Sequence, residues 1–113
     1  MATSDRVVAD FERYFGNQTR LENWQRLCSD VKIAGAYSLR SIKACKEALS
    51  KVHVNIQNLV DSQNPDPTKR KELILHPTKS ALSRWTKKND MFYPLKKAKQ
   101  GGPVRALLVK MNR

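Results

Sequence analysis

Residues 19–52, TRLENWQRLCSDVKIAGAYSLRSIKACKEALSKV, decide how this chain folds. Thr19 followed by Glu22 has the spacing of a capping box, in which each side chain satisfies a free amide of a first helical turn. Behind it Leu21, Trp24, Leu27, Cys28 and Val31 fall on one apolar stripe, which predicts a helix. A connection, KIAGAYS (32–38), contains Gly35 and ends at Ser38, a good cap for a further helix that turns Leu39, Ile42, Cys45, Leu49 and Val52 inward. Two amphipathic helices in tandem, each with one apolar face, must bury those faces against other helices.

Outward from this centre the pattern stays helical. Val7, Val8, Phe11, Tyr14 and Phe15 recur at helical spacing, with Ser4 as a candidate cap and Gly16 as the stop. Asn55 is a strong N-cap for a short helix carrying Ile56, Leu59 and Val60, although Val52, Val54 and Ile56 also alternate like a strand. The stretch QNPDPTKRK (63–71) is a loop, because its prolines, Asn and Asp deny it regular structure. Pro77 and Thr78 open a helix through Leu82 and Trp85 that fades at Asn89 and Asp90, and Met91, Phe92 and Tyr93 then turn back toward the core. Pro103 suits the first position of a last helix with Val104, Leu107, Leu108 and Met111 on one face. The expected fold is all-α: residues 1–113 form a single compact bundle of five or six short helices. A helix-turn-helix-like unit is conceivable around residues 32–38, though that connection exceeds the usual three or four residues. The alternative is an α+β fold with a minimal β pairing of VHVNI (52–56) with LILH (73–76).

Charge is the strongest functional signal. The net charge of +12 is uneven: residues 1–31 carry −1, residues 32–64 carry +3 and residues 65–113 carry +10. Such asymmetry points to a polyanionic partner, and nucleic acid, DNA or RNA, is the natural one, since each phosphate contact releases counterions. The candidate phosphate contacts are Lys69, Arg70, Lys71, Lys87, Lys88, Lys96, Lys97, Lys99 and Arg105, with Arg40 and Lys43 as a secondary surface. Phe92 and Tyr93, beside lysines, are placed to stack on a base. A protein partner is the alternative, with the lysines serving solubility or nuclear import.

Catalytic chemistry lacks material. His53 and His76 are far apart in sequence and match no metal-ligand spacing, so no metal or other cofactor is expected. No serine lies in a GxSxG elbow, and the acids read as surface partners of lysine. Gly101 and Gly102 precede Pro103 in QGGPVRA, which lacks the lysine and hydroxyl of a phosphate loop and reads as punctuation before the last helix. Cys28 and Cys45 fall on apolar faces and read as buried thiols. With no apolar run long enough to cross a bilayer and no secretory h-region in MATSDRVVADFERYF, the expectation is a nuclear or cytoplasmic protein without a membrane or small-molecule partner.

The segments LENWQRLCSDVKI (21–33), SIKACKEALSKVHVNIQNLVD (41–61) and AKQGGPVRALLVKM (98–111) resemble small uncharacterised proteins widespread in filamentous fungi. The resemblance covers about two thirds of the chain, with GGPVRALL its most distinctive part. It implies a fungal origin and a last helix that is a fixed part of the fold; it implies no activity.

Overall fold

A computed structural model of the chain describes residues 2–91, 93 and 102–108. The described residues hold six α-helices: α1 (Ala2–Phe15), α2 (Leu21–Asp30), α3 (Ile42–Leu49), α4 (Ile56–Ser62), α5 (Lys79–Asn89) and α6 (Pro103–Leu108). Two 3-10 turns, Ala36–Ser38 and Pro67–Lys69, lie between them. The all-α bundle is therefore present, and among the described residues the only β pairing is a single antiparallel bridge between Val54 and Leu75. Leu75 is exposed and Pro77 follows it, while Asn55 diverts the other side into α4, so a ladder has nowhere to grow.

The core forms where the apolar stripes meet. Val7, Phe11 and Phe15 of α1 join Trp24, Leu27 and Cys28 of α2, Cys45 and Leu49 of α3, Ile56 and Leu59 of α4, and Val104 and Leu107 of α6. Burying each large side chain is worth roughly 1.5–3 kcal/mol. Helix α1 packs on α4 and α2, α2 on α3, and α3 on α6. Phe15 meets the Trp24 ring edge-on at 5.4 Å, and the indole Nε1–H donates to Gln18 O at 2.9 Å, so the largest core residue leaves no donor unpaired. The α2–α3 pair is joined by residues 31–41, which include a 3-10 turn, rather than by the tight turn of a helix-turn-helix.

Three caps differ from expectation. Helix α1 begins at Ala2, so Ser4 lies inside it; a capping residue does not stop a helix when the residues before it can also be helical. Helix α2 has Arg20 at its N-cap with no side-chain cap, and the Thr19–Glu22 box does not form. The Thr19 amide and hydroxyl both donate to Asn17 Oδ1, at 2.8 and 2.7 Å, and Glu22 pairs with Arg20. A local Asx turn has captured the hydroxyl that the box required. Ser38 ends the 3-10 turn, and Ser41 caps α3 by accepting the Ala44 N–H at 3.0 Å. The cap at Asn55 stands where the sequence places it, as do the glycine stop at Gly16 (φ 83°) and Pro103 at the head of α6, and Thr78 caps α5 by accepting the Ala81 N–H at 3.1 Å. Met111 lies outside the described residues.

Two buried asparagines organise the second half. Asn55 Oδ1 accepts the Asn58 N–H at 3.0 Å, and its Nδ2 donates to Thr86 Oγ1 and Met91 O. Asn58 Nδ2 donates to Glu72 O at 3.0 Å, while its Oδ1 accepts the Ile74 N–H at 2.8 Å. The Asn58 amide thus takes the place of a neighbouring strand for segment 72–74.

Candidate functional site

The residues that gather basic charge do so around a cleft of about 790 Å³ between α1, α2, α4 and the loop after α4. Arg6, Asp10, Arg13 and Tyr14 lie on one face of α1 because they are spaced three or four residues apart. Across from them α4 contributes Gln57 and Asp61, and the loop contributes Lys69 and Lys71. The loop is shaped by its own side chains. Asp66 Oδ1 accepts from the Thr68 amide and hydroxyl at 3.0 and 2.8 Å, and these bonds hold its carboxyl below the usual range. Arg70 Nε donates to Asn64 O at 2.7 Å, and the Lys71 N–H donates to Asp61 O at 3.2 Å. Lys69 and Lys71 are therefore presented from a pinned backbone.

The carboxylates of the cleft already have partners. Asp10 meets Arg13 at 3.0 Å and Arg6 at 3.8 Å, Asp30 accepts the Tyr14 hydroxyl at 2.6 Å, and Asp61 accepts from Gln57 Nε2 at 3.1 Å. Arg26 lies over the Tyr14 ring, 4.9 Å from its centroid, and donates to Tyr14 O and Phe15 O. Burial first, and then the Asp30 carboxylate, hold the Tyr14 phenol proton well above its usual range. The carboxylates of the floor are thus engaged internally, Arg26 Nε is buried without a hydrogen-bond partner, and five basic residues against three acids leave the lining at +2. Arg6 and Arg13 expose 82% and 72% of their side chains, so their pairs with Asp10 are worth at most about 1 kcal/mol and exchange readily for a phosphate.

Of the residues expected from sequence to bind polyanions, Lys69 and Lys71 line this cleft, and Arg70 fixes the loop that carries them. Lys87 and Lys88 are exposed in the last turn of α5, and Arg40 and Lys43 are exposed at the start of α3; none of the four lines the cleft. Phe92, Lys96, Lys97 and Lys99 lie outside the described residues, as does the side chain of Arg105. Tyr93 is half-buried and packs against the core, where burial and then Glu12 raise its phenol. Gly102 and Pro103 are buried, which turns the start of α6 toward the core as the punctuation reading expects.

Arg6, Arg13 and Arg26 went unnoticed in the sequence because residues 1–31 are nearly neutral as a stretch. Folding brings them to the same cleft as Lys69 and Lys71, while Asp10 stays paired with Arg6 and Arg13. The histidines, distant in sequence, also come together: the His76 N–H donates to His53 O at 2.9 Å, and the His76 ring lies 5.7 Å from the Trp85 ring. Burial and the neighbouring His53 lower the His76 pKa. Among the described residues no group of three or more His, Cys, Asp or Glu could hold a metal ion. Cys28 and Cys45 are free, fully buried thiols, with Cys28 Sγ 3.9 Å from Cys45 O. Burial, and then Cys45, push the Cys28 thiol up to about 12. Among the described residues, no helix is long and apolar enough to cross a membrane.

No family model matches the chain, and neither a curated protein nor a solved structure matches it.

Proposed function

We propose that this chain is a non-enzymatic nucleic-acid-binding protein of the nucleus or cytoplasm, and that the rim of the α1–α4 cleft is its phosphate-contact surface. One observation carries this reading: Lys69 and Lys71 stand opposite Arg6 and Arg13 across a cleft whose carboxylates are already engaged. Lys69 and Lys71 are exposed, and the exposed pairs of Arg6 and Arg13 with Asp10 are weak enough to exchange for phosphates, each of which releases counterions on neutralisation. Lys87, Lys88, Arg40 and Lys43, exposed but outside the cleft, are further candidate phosphate contacts. Binding is expected to be sensitive to salt and largely independent of sequence.

The test is fluorescence-anisotropy titration of labelled duplex DNA, single-stranded DNA and RNA at low and near-physiological salt. Replacing Arg13, Lys69 and Lys71 together by Glu should weaken binding by about a hundredfold or more. Affinity that stays within about twofold sinks the assignment, since each lost phosphate contact should register.

A protein-interaction module is the second reading, and Ile74 and Leu75 favour it. They are adjacent apolar residues, 38% and 41% exposed, beside the lone β-bridge. Nucleic-acid binding that vanishes at near-physiological salt for all three probes would move the assignment to this reading.

A further inference from the structure

The connection between α2 and α3 holds a large aromatic ring out in solvent. Tyr37 is 62% exposed, more than any other large hydrophobic side chain among the described residues. It sits at the middle of the Ala36–Ser38 turn, and that turn is firmly built. Gly35 enters it at φ 71°, the Ser38 N–H donates to Gly35 O at 2.9 Å, and the Leu39 N–H donates to Ala36 O at 3.2 Å. Gln25 Nε2 reaches across from α2 to Leu39 O at 2.7 Å and to Tyr37 O at 3.5 Å. Ala36 is buried and Leu39 packs against the core, so the backbone on either side of Tyr37 is anchored while the ring itself contributes little to the interior.

The stretch of chain around the ring is basic, between Asp30 on one side and Glu47 on the other. Residues 31–46 contain Lys32, Arg40, Lys43 and Lys46 and no Asp or Glu. Lys46 is occupied over the Trp24 ring, 5.5 Å from its centroid, whereas Lys32, Arg40 and Lys43 are exposed. Arg40 follows Tyr37 by three residues, which limits their Cα separation to about 11 Å. We infer that Tyr37 is a stacking platform for an unpaired base of a single-stranded nucleic acid, with Arg40 and Lys43 taking the adjoining phosphates. This deepens the nucleic-acid reading above and rests on it.

The chemistry selects the strand form. Every base has a π face, so a pre-positioned ring accepts any base that is free to leave its neighbours, and the surrounding cations hold the backbone that carries it. In a duplex both faces of an interior base are already covered, and a ring projecting from a short turn finds nothing to stack on. A contact of this kind gains roughly 5- to 100-fold in affinity per stacked base.

The experiment compares the full chain with Tyr37→Ala and Tyr37→Phe by anisotropy, on a single-stranded oligonucleotide and on the duplex of the same sequence. Thermal melts check that both variants fold. Tyr37→Ala should weaken single-strand binding by about tenfold and leave duplex binding within about twofold, whereas Tyr37→Phe keeps the wild-type affinity. Equal loss on both forms, or no loss on the single strand, overturns the stacking assignment while the nucleic-acid reading stands. Wild-type protein that binds neither form at near-physiological salt overturns both.

Discussion

Asn55 Nδ2 lies 3.1 Å from Thr86 Oγ1, joining two buried side chains that are far apart in sequence. The same amide donates to Met91 O at 2.9 Å and, through Oδ1, caps α4. One side chain therefore starts α4 and fixes the end of α5, a helix whose buried residues are Leu82 and Thr86. Asn55→Ala loses the cap and leaves a hydroxyl and a carbonyl short of a donor, so it should cost about 2–4 kcal/mol. The corresponding fall in melting temperature is roughly 10–20 °C. Asn55→Asp, which keeps the capping oxygen and loses the donor, should fall between. A melting temperature unchanged in Asn55→Ala would refute this role.

Asp10 sits between Arg6 and Arg13, and its removal should act in the opposite direction to removal of the cations. Asp10→Asn releases both guanidinium groups and should tighten nucleic-acid binding by roughly twofold to fivefold at low salt. Arg13→Glu should weaken it and reduce the slope of log affinity against log salt by about one. Parallel titrations of the two variants decide the point, and shifts of the same sign in both would count against the cleft.

The buried thiols predict a loss of stability in alkali. The Cys28 pKa is raised from 9.0 to about 12 in the folded chain, so above pH 9 the unfolded state releases a proton that the folded state keeps. Stability is therefore complete below pH 9 and should fall above it by about 1.4 kcal/mol per pH unit for this thiol. Burial raises Cys45 as well and adds to the slope. Urea midpoints measured between neutral and alkaline pH check this. At neutral pH a disulfide reagent should modify both cysteines only as fast as the chain opens, and fast modification of the native protein would contradict their burial.

His76 predicts a loss in acid. Its pKa lies below the ordinary 6.5 because burial and His53 disfavour the imidazolium. The unfolded state then binds more protons in that window, so stability is complete above about pH 6.5 and declines as pH falls below it. A melt series across mildly acid pH should show the decline, and His76→Gln should reduce it. An identical slope in the variant would assign the acid sensitivity to other groups.

How much of this was legible depended on whether the deciding contact was local. Asn55 was readable as a cap because the amide it meets is only three residues ahead. Thr19 was misread because Asn17, two residues upstream, offers its hydroxyl a tighter ring. The KRK run at Lys69–Lys71 is visible as a cluster in the chain itself, but the packing of α1 against α4 brings Arg6 and Arg13 to it, and no window of sequence contains that packing. Tyr37 belongs to the same class, because its exposure follows from Ala36 and Leu39 claiming the interior on either side.

Helix α6 has a consequence for how the chain is made. Val104 and Leu107 close the core over α3, yet residues 50–102 must be synthesised between the two helices. At cellular translation rates that interval is roughly 3–10 s, far longer than a helix needs to form. Throughout it the nascent chain carries α3 with part of its apolar face uncovered, which makes this face a candidate for chaperone capture on the ribosome until α6 emerges and seals it.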